Sequence, residues 1–387
     1  MLNKFSEEKR IYFDWAASSP YSPAEFHSPY GNPSSQHREG REAKTALEDA
    51  RLRCAAVLNV PPASLYFTSG GTESNSIALF SNLMRKGKGR VISSLAEHSS
   101  VREAMETIEK MGKPVGSIQV DAQGRVTPAD LEKALVKYPD ARFTSCMAVN
   151  NETGVITNIA ALRDVIRKFS SAPVHLHCDL VQAAGKIPLD IQNWEIDSAS
   201  LSAHKISGPR GIGLLYLRRK SALDVFYSGG GQENGIRGGT ENTRGALELA
   251  DCLEKFADAR TVEANYIRAK ECWKKLINFL STIERCTIIP SSRTGEDAQD
   301  EFSPYILQAA FKDIPGEVMA RALDDLGFAV STGSACSSSS PERPVLLAMG
   351  VPENLRIEGI RISQGWSTTD EEIDQLLDAI AEVLKFL

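Results

Sequence analysis

Residues 65–80 read LYFTSGGTESNSIALF, and the order of these residues decides the fold class. Leu65-Tyr66-Phe67 is an apolar run of strand length, Ser69-Gly70-Gly71-Thr72 turns the chain, and Ile77, Leu79 and Phe80 follow at helical spacing. Strand, glycine turn and helix in immediate succession is the repeating unit of a sheet covered by helices. Small residues at the turn let the backbone approach an anion, and a helix beginning at Thr72 offers unpaired N–H groups and partial positive charge. The segment suits a phosphate but lacks the GxxxxGK[ST] spacing of a nucleoside-triphosphate loop. Standing alone, an ordinary strand–helix turn would look the same.

Outward from this unit the alternation continues. Upstream, Ala43, Ala46, Leu47, Ala50, Cys54, Val57 and Leu58 keep helical spacing until Pro61-Pro62 stops it. Downstream, strand candidates recur at 91–93, 142–148, 174–178, 198–201 and 213–217, with a helical stretch at 159–169. This pattern predicts a largely parallel sheet. Near residue 250 it changes to two long helical stretches over about 245–280, a polar segment at 291–303, and shorter mixed elements. The chain closes with an amphipathic helix at 369–387. The expectation is a large α/β domain followed by a smaller α+β domain.

Composition narrows the function classes. The 387 residues are 42% hydrophobic and 24% charged, as in ordinary globular proteins. A net charge of −6 gives no positive field for nucleic acid or anionic lipid. No apolar run approaches the roughly 18 residues of a membrane span. The opening MLNKFSEEKR has no apolar signal region, so the expected location is cytoplasmic. Seven cysteines are scattered, the closest pair 14 positions apart, which speaks for reduced thiols and against a disulfide framework or a zinc knuckle. Cys54, Cys146, Cys178, Cys252, Cys272 and Cys286 read as small buried hydrophobes. Cys336 differs: it lies in a Gly/Ser-rich stretch, 331–340, closed by Pro341 and Pro344, a composition that makes an accessible, mobile loop.

Two further segments carry chemistry. In His175-Leu176-His177-Cys178-Asp179-Leu180-Val181-Gln182 an acid ends a buried-looking strand, where open α/β sheets bind ligands. A metal is the minor reading there, and a helix cap by Asp179 the bland one. In Ser202-Ala203-His204-Lys205-Ile206-Ser207-Gly208 a lysine sits between a strand and a rigid loop, placed to form a Schiff base if buried. Phosphate cradle, strand-end acid and loop lysine are together the parts of a pyridoxal phosphate site.

At this point the chain resembles the cysteine desulfurases of the class V aminotransferases, the kind that supply sulfur for nitrogenase and iron–sulfur clusters. The matching segments include Asp14-Trp15-Ala16-Ala17, Gly31-Asn32-Pro33-Ser34-Ser35, 68–75, Glu97-His98, 149–154, 179–182, 202–213, 229–242, Ser334-Ala335-Cys336 and 360–363. The resemblance implies a fold type I pyridoxal-phosphate-dependent transferase. Its large domain, 15–255, would carry a mostly parallel seven-stranded sheet, and 1–14 with 256–387 would form a smaller α+β domain bearing the cysteine loop. Lys205 would hold pyridoxal 5'-phosphate as a Schiff base, Asp179 would pair with its ring nitrogen, Gln182 would bond its phenolic oxygen, and His98 would stack on its face. Gly71, Thr72, Ser202 and His204 would hold the phosphate, joined by Thr240 from a second subunit of a homodimer. Asn32, Asn151 and Arg361 would face the substrate, L-cysteine, and Arg361 would grip its carboxylate. The Cys336 thiolate would take the sulfur as a persulfide, leaving L-alanine, and hand it to an acceptor protein for iron–sulfur cluster or other thio-cofactor synthesis. Three alternatives share parts of this pattern: a selenocysteine lyase, a cysteine or cystine C–S lyase, and a sulfur-carrier protein without turnover. The chain departs from the family in a shorter interval between Pro20 and Gly31, and in Gln364 and Trp366 after Arg361.

Overall fold

The structure is a computed structural model and describes residues 10–20, 29–87, 89–220, 223–226, 229–295, 300–333 and 343–387. In chain order its strands are β1 (Ile11–Tyr12), β2 (Leu65–Thr68), β3 (Arg90–Ser94), β4 (Val115–Ile118), β5 (Ala141–Ser145) and β6 (His175–Asp179), followed by β7 (Ser198–Ser202), β8 (Gly213–Leu217), β9 (Cys286–Ile289), β10 (Ile306–Phe311), β11 (Phe328–Ala329) and β12 (Gly359–Ser363).

Seven strands make one sheet in the order β2-β8-β7-β6-β5-β3-β4. β8 runs antiparallel to both neighbours, and the other pairings are parallel. The sheet is the mostly parallel, seven-stranded one expected. Period-two alternation sends its side chains to two faces. Leu214 and Tyr216 pack with Leu47, Ala50 and Cys54 of the helix Arg38–Leu58 and with Leu249 and Leu253 of Thr243–Phe256. Leu215 and Leu217 pack on the opposite side with Leu79 of Gly71–Met84 and Val101 and Ile108 of Ser99–Lys110. The sheet is therefore sandwiched between two helical layers.

The expected strand at 142–148 ends at Ser145, where the chain leaves the sheet toward Asn151. β4 escapes the sequence pattern because it is a sheet-edge strand with only Ile118 fully buried. The helix Ile159–Phe169 falls where its periodicity places it, capped by the Asn158 side chain.

A second sheet, β12-β10-β9, is antiparallel. Its core joins Leu307, Ile360 and Ile362 to Trp273 and Leu276 of Ala259–Thr282, Leu323 of Gly316–Asp325, and Leu376 and Ile380 of Asp370–Phe386. The last helix starts with a capping box, in which Thr369 and Glu372 each accept from the other's backbone N–H. Segment 11–16 ties this unit to the cleft of the first. β1 pairs with β11, Ser363 N donates to Phe13 O at 2.8 Å, and Ala16 N donates to Ser363 Oγ at 2.9 Å. Among the described residues no helix is long and apolar enough to cross a membrane.

Candidate active site

A cleft opens where β2, β3, β6 and β7 deliver their C-terminal ends, the edge at which parallel sheets bind ligands. Gly71, Thr72, His98, Asn151, Asp179, Gln182, Ser202, His204, Lys205 and Arg361 all line it. These expected residues come from segments as far apart as 71 and 361.

One corner is the start of the helix Gly71–Met84. Its first N–H groups have no side-chain cap, and Ser202 and His204 stand beside it. A Cβ added at Gly71 would meet Val181 Cγ2 at 2.6 Å and Ser202 Cβ at 3.8 Å, so glycine keeps this corner open to an anion. Burial, with Lys205 and Arg210 nearby, lowers His204 to about 4, which keeps it neutral at physiological pH.

One acid stands beside this corner. Asp179 is 4% exposed and ends β6. Its Oδ1 accepts from Val181 N at 2.9 Å and its Oδ2 from Asn75 Nδ2 at 2.9 Å. It caps the turn that follows rather than a helix. Lys205 ends the short 3₁₀ turn after β7, and its Nζ donates to the carbonyl of Ala17 at 2.9 Å and to that of Ala16. Gln182 Nε2 donates to the same Ala16 carbonyl at 2.9 Å, while its Oε1 accepts from Lys186 Nζ at 2.6 Å. Burial lowers Lys186 well below the ordinary lysine value.

His98 is a helix cap and a cleft residue at once. Its Nδ1 accepts from Ser100 N at 3.1 Å at the start of Ser99–Lys110, and the ring faces the cavity. Desolvation lowers its pKa against the pull of Asp179. Arg361 on β12 is 1% exposed; its Nη2 donates to Asp14 Oδ1 at 2.9 Å and its Nη1 to Asn151 O at 3.0 Å. Asn151 lies in the turn that follows β5.

Two expected residues stand apart. Asn32 is exposed, accepts from Ser34 N at 2.9 Å, and does not line the cleft; Thr240 is exposed and also absent from the lining. Cys336 lies outside the described residues. Of the other cysteines, Cys54, Cys146, Cys178, Cys252 and Cys272 are buried as expected, whereas Cys286 is half-buried. Burial pushes the Cys54, Cys252 and Cys286 thiols up to about 12, so they are not nucleophiles at neutral pH. Gln364 and Trp366 have structural work: Gln364 Nε2 bonds the carbonyls of Ala269 and Pro304, and Trp366 stacks on Phe256 at 4.5 Å.

Sequence reading assigned no role to Asn75, Ser100, Lys186 or Asp14. Asn75 and Lys186 each follow an expected site residue by four positions, Gly71 and Gln182, and that spacing was the available signal.

The residues fit pyridoxal phosphate with an amino-acid substrate. Asn151 Oδ1 and Arg361 Nε are buried without a hydrogen-bond partner, beside an uncapped helix start, a buried carboxylate and a lysine. Such a set calls for a ligand carrying a phosphate, a basic ring nitrogen, a carbonyl reactive to lysine, and a carboxylate.

The family model of class-V aminotransferases matches residues 11–376. A cysteine desulfurase IscS of Dictyoglomus turgidum is 35% identical over 98% of this chain and 96% of its own length. A solved NifS-like protein superposes with a TM-score of 0.87 at 32% identity, covering 98% of this chain and 100% of that one. A structure described as SspA in complex with cysteine matches with a TM-score of 0.77 at 29% identity, over 92% of this chain and 98% of the other.

Proposed function

The chain belongs to the class-V aminotransferases, among their cysteine desulfurases, and from that premise we propose that it converts L-cysteine to L-alanine and passes the sulfur to Cys336 and then to an acceptor protein. The observation that carries this reading is the convergence of Lys205, Asp179, the Gly71 helix start and Arg361 on one cleft. Pyridoxal phosphate, when bound, supplies an electron sink that stabilises negative charge on the substrate carbon.

This chain's residues do the rest. The Gly71–Thr72 N–H groups, Ser202 and His204 hold the phosphate, and Asp179 keeps a proton on the ring nitrogen. Arg361, steadied by Asp14 and the Asn151 carbonyl, binds the substrate carboxylate with its remaining N–H groups. Lys205 Nζ lies within the cleft and would take the proton from the substrate's α-carbon. The Cys336 thiolate attacks the substrate sulfur. An S–S bond forms, the C–S bond breaks, and protonation of the carbon fragment completes alanine, so cysteine and a thiol become alanine and a persulfide. Neutral His98, on the cleft wall, carries protons in these exchanges.

The same reading makes the protein a cytoplasmic homodimer in which Thr240 reaches the partner's phosphate site, consistent with its exposure. It divides the chain into domains 15–255 and 1–14 with 256–387. Alanine released from L-cysteine under reductant tests the function, in the native chain and in Cys336→Ala. Alanine matched by sulfide and lost in the variant supports a desulfurase. Pyruvate and ammonia, indifferent to the variant, would mean a lyase.

A further inference from the structure

Three hydrogen bonds meet on the buried Asn75 side chain. Its Nδ2 donates to Asp179 Oδ2 at 2.9 Å and to Ser100 Oγ at 2.9 Å, and its Oδ1 lies 2.9 Å from His177 Nε2. Beyond them, Ser100 Oγ is 2.9 Å from His98 Nδ1, and Ser198 Oγ is 2.8 Å from His177 Nδ1 and 2.7 Å from His175 Nε2.

The chemistry of the two ends leaves one arrangement of protons. Ser100 N can only donate, so His98 Nδ1 accepts and carries no proton. Ser100 Oγ approaches that same nitrogen and must donate to it, which frees the oxygen to accept from Asn75. At the other end the Asp179 carboxylate accepts only, so the amide nitrogen of Asn75 faces it and the amide oxygen faces His177. His177 Nε2 therefore holds the proton, and its Nδ1 accepts from Ser198, whose oxygen accepts from His175 Nε2–H. Ser200 Oγ, 3.5 Å from His177 Nε2, is too far to compete. Burial lowers His175 to about 4 and His177 to about 3, so both rings stay neutral, as this order requires. Every proton is donated in one direction, from the sheet interior toward the cleft.

We propose that Asn75 is a positioning residue that locks the Asp179 carboxylate and, through Ser100, the His98 ring into one unit, with His177 setting its orientation. The proposal rests on the functional reading only in treating Asp179 and His98 as cofactor-binding groups. In a satisfied buried network, each bond fixes the geometry of the next. Asp179 is thereby aimed at the cleft, and His98 presents Nε2–H rather than a bare nitrogen.

The test is ring-nitrogen NMR on the full chain labelled at its six histidines, recorded cofactor-free and after addition of pyridoxal phosphate. His98, His175 and His177 should each show a protonated Nε2 and a bare Nδ1 at pH 7. In Asn75→Leu, His98 and His177 should lose that single pattern, and the Kd for pyridoxal phosphate should rise about tenfold. Ser100→Ala cuts one branch only and should alter His98 while leaving His177 unchanged. A proton on Nδ1 of His177 or His98 in the native chain overturns the proposal, as does a folded Asn75→Leu with unchanged rings and unchanged affinity. If Asn75→Leu does not fold, an unchanged His98 in Ser100→Ala overturns it. The predicted ring pattern in a native chain that binds no pyridoxal phosphate supports the network and sinks the functional reading instead.

Discussion

Lys205 and Ala17, 188 positions apart, are joined by a 2.9 Å hydrogen bond from the lysine Nζ to the alanine carbonyl. The same amine also reaches Ala16, whose backbone N–H is held by Ser363 on β12. The N-terminal turn that Ser363 of the second sheet anchors thus supplies the carbonyls on which the lysine rests, and the sheet itself places Arg361 in the same cleft. A change in how the second sheet holds that turn is felt directly at the Lys205 amine.

Replacing that amine should be decisive. Lys205→Ala is expected to lower alanine formation about 100- to 10,000-fold, the range for loss of a positioned proton-transfer group. After borohydride reduction and denaturation, the native chain should keep the cofactor's mass and the variant should not. Equal retention in both would exclude Lys205 as the point of attachment.

Arg361→Lys keeps the charge but loses the planar fork that now bonds Asp14 and the Asn151 carbonyl. A charged hydrogen bond contributes about 1.5–3 kcal/mol, so KM for L-cysteine should rise about 10- to 100-fold, with a smaller change in kcat. An unchanged KM would remove Arg361 from carboxylate binding.

Gly71→Ala places a methyl 2.6 Å from Val181 Cγ2. Overpacking of this kind costs about 1–3 kcal/mol. A lower Tm should be accompanied by weaker pyridoxal phosphate binding, because the shift occurs at the proposed phosphate corner. Unaltered affinity measured by titration into the cofactor-free chain would place the phosphate elsewhere.

Stability should fall on both sides of neutrality. Burial, with Asp179 next in effect, raises Glu97 to about 8 from the ordinary 4.5, so the folded chain holds a proton that the unfolded chain has lost. Between those values stability declines as pH rises. His175 and His177, lowered to about 4 and about 3 from 6.5, act oppositely, and stability declines as pH falls below 6.5. Glu97→Gln mimics the protonated acid, whose Oε1 accepts from Met147 N at 2.7 Å. Thermal unfolding of the cofactor-free chain from pH 5 to 9 should show a shallower decline between 6.5 and 8 in the variant, and a steeper fall below 6.5, where the Glu97 proton no longer offsets the histidines. An equally steep alkaline decline in both chains would assign the effect to another group.

All three strands β6, β7 and β8 are buried on both faces; β8 was legible because its apolar residues run together, and β6 and β7 because apolar residues alternate with polar ones at period two. Lys205, Asp179 and the Gly71 turn were legible because each sits where a strand ends, a position that pattern alone marks. β4 at the sheet edge and the two-residue β1 and β11 were not, since so little of them is buried in a regular rhythm.

Residue order determined the alternation of strand and helix, the glycine turn with its helix start, and the chemical types available to the site, because periodicity and turn chemistry act over a few neighbours. Tertiary structure alone decided which of those groups meet. Asn75 lies 104 positions from Asp179 and 102 from His177, and only the stacking of β6 beside β7 under the helix Gly71–Met84 brings them within 2.9 Å. A hydrogen-bond network is a property of distances and directions in space, and no spacing along the chain encodes it.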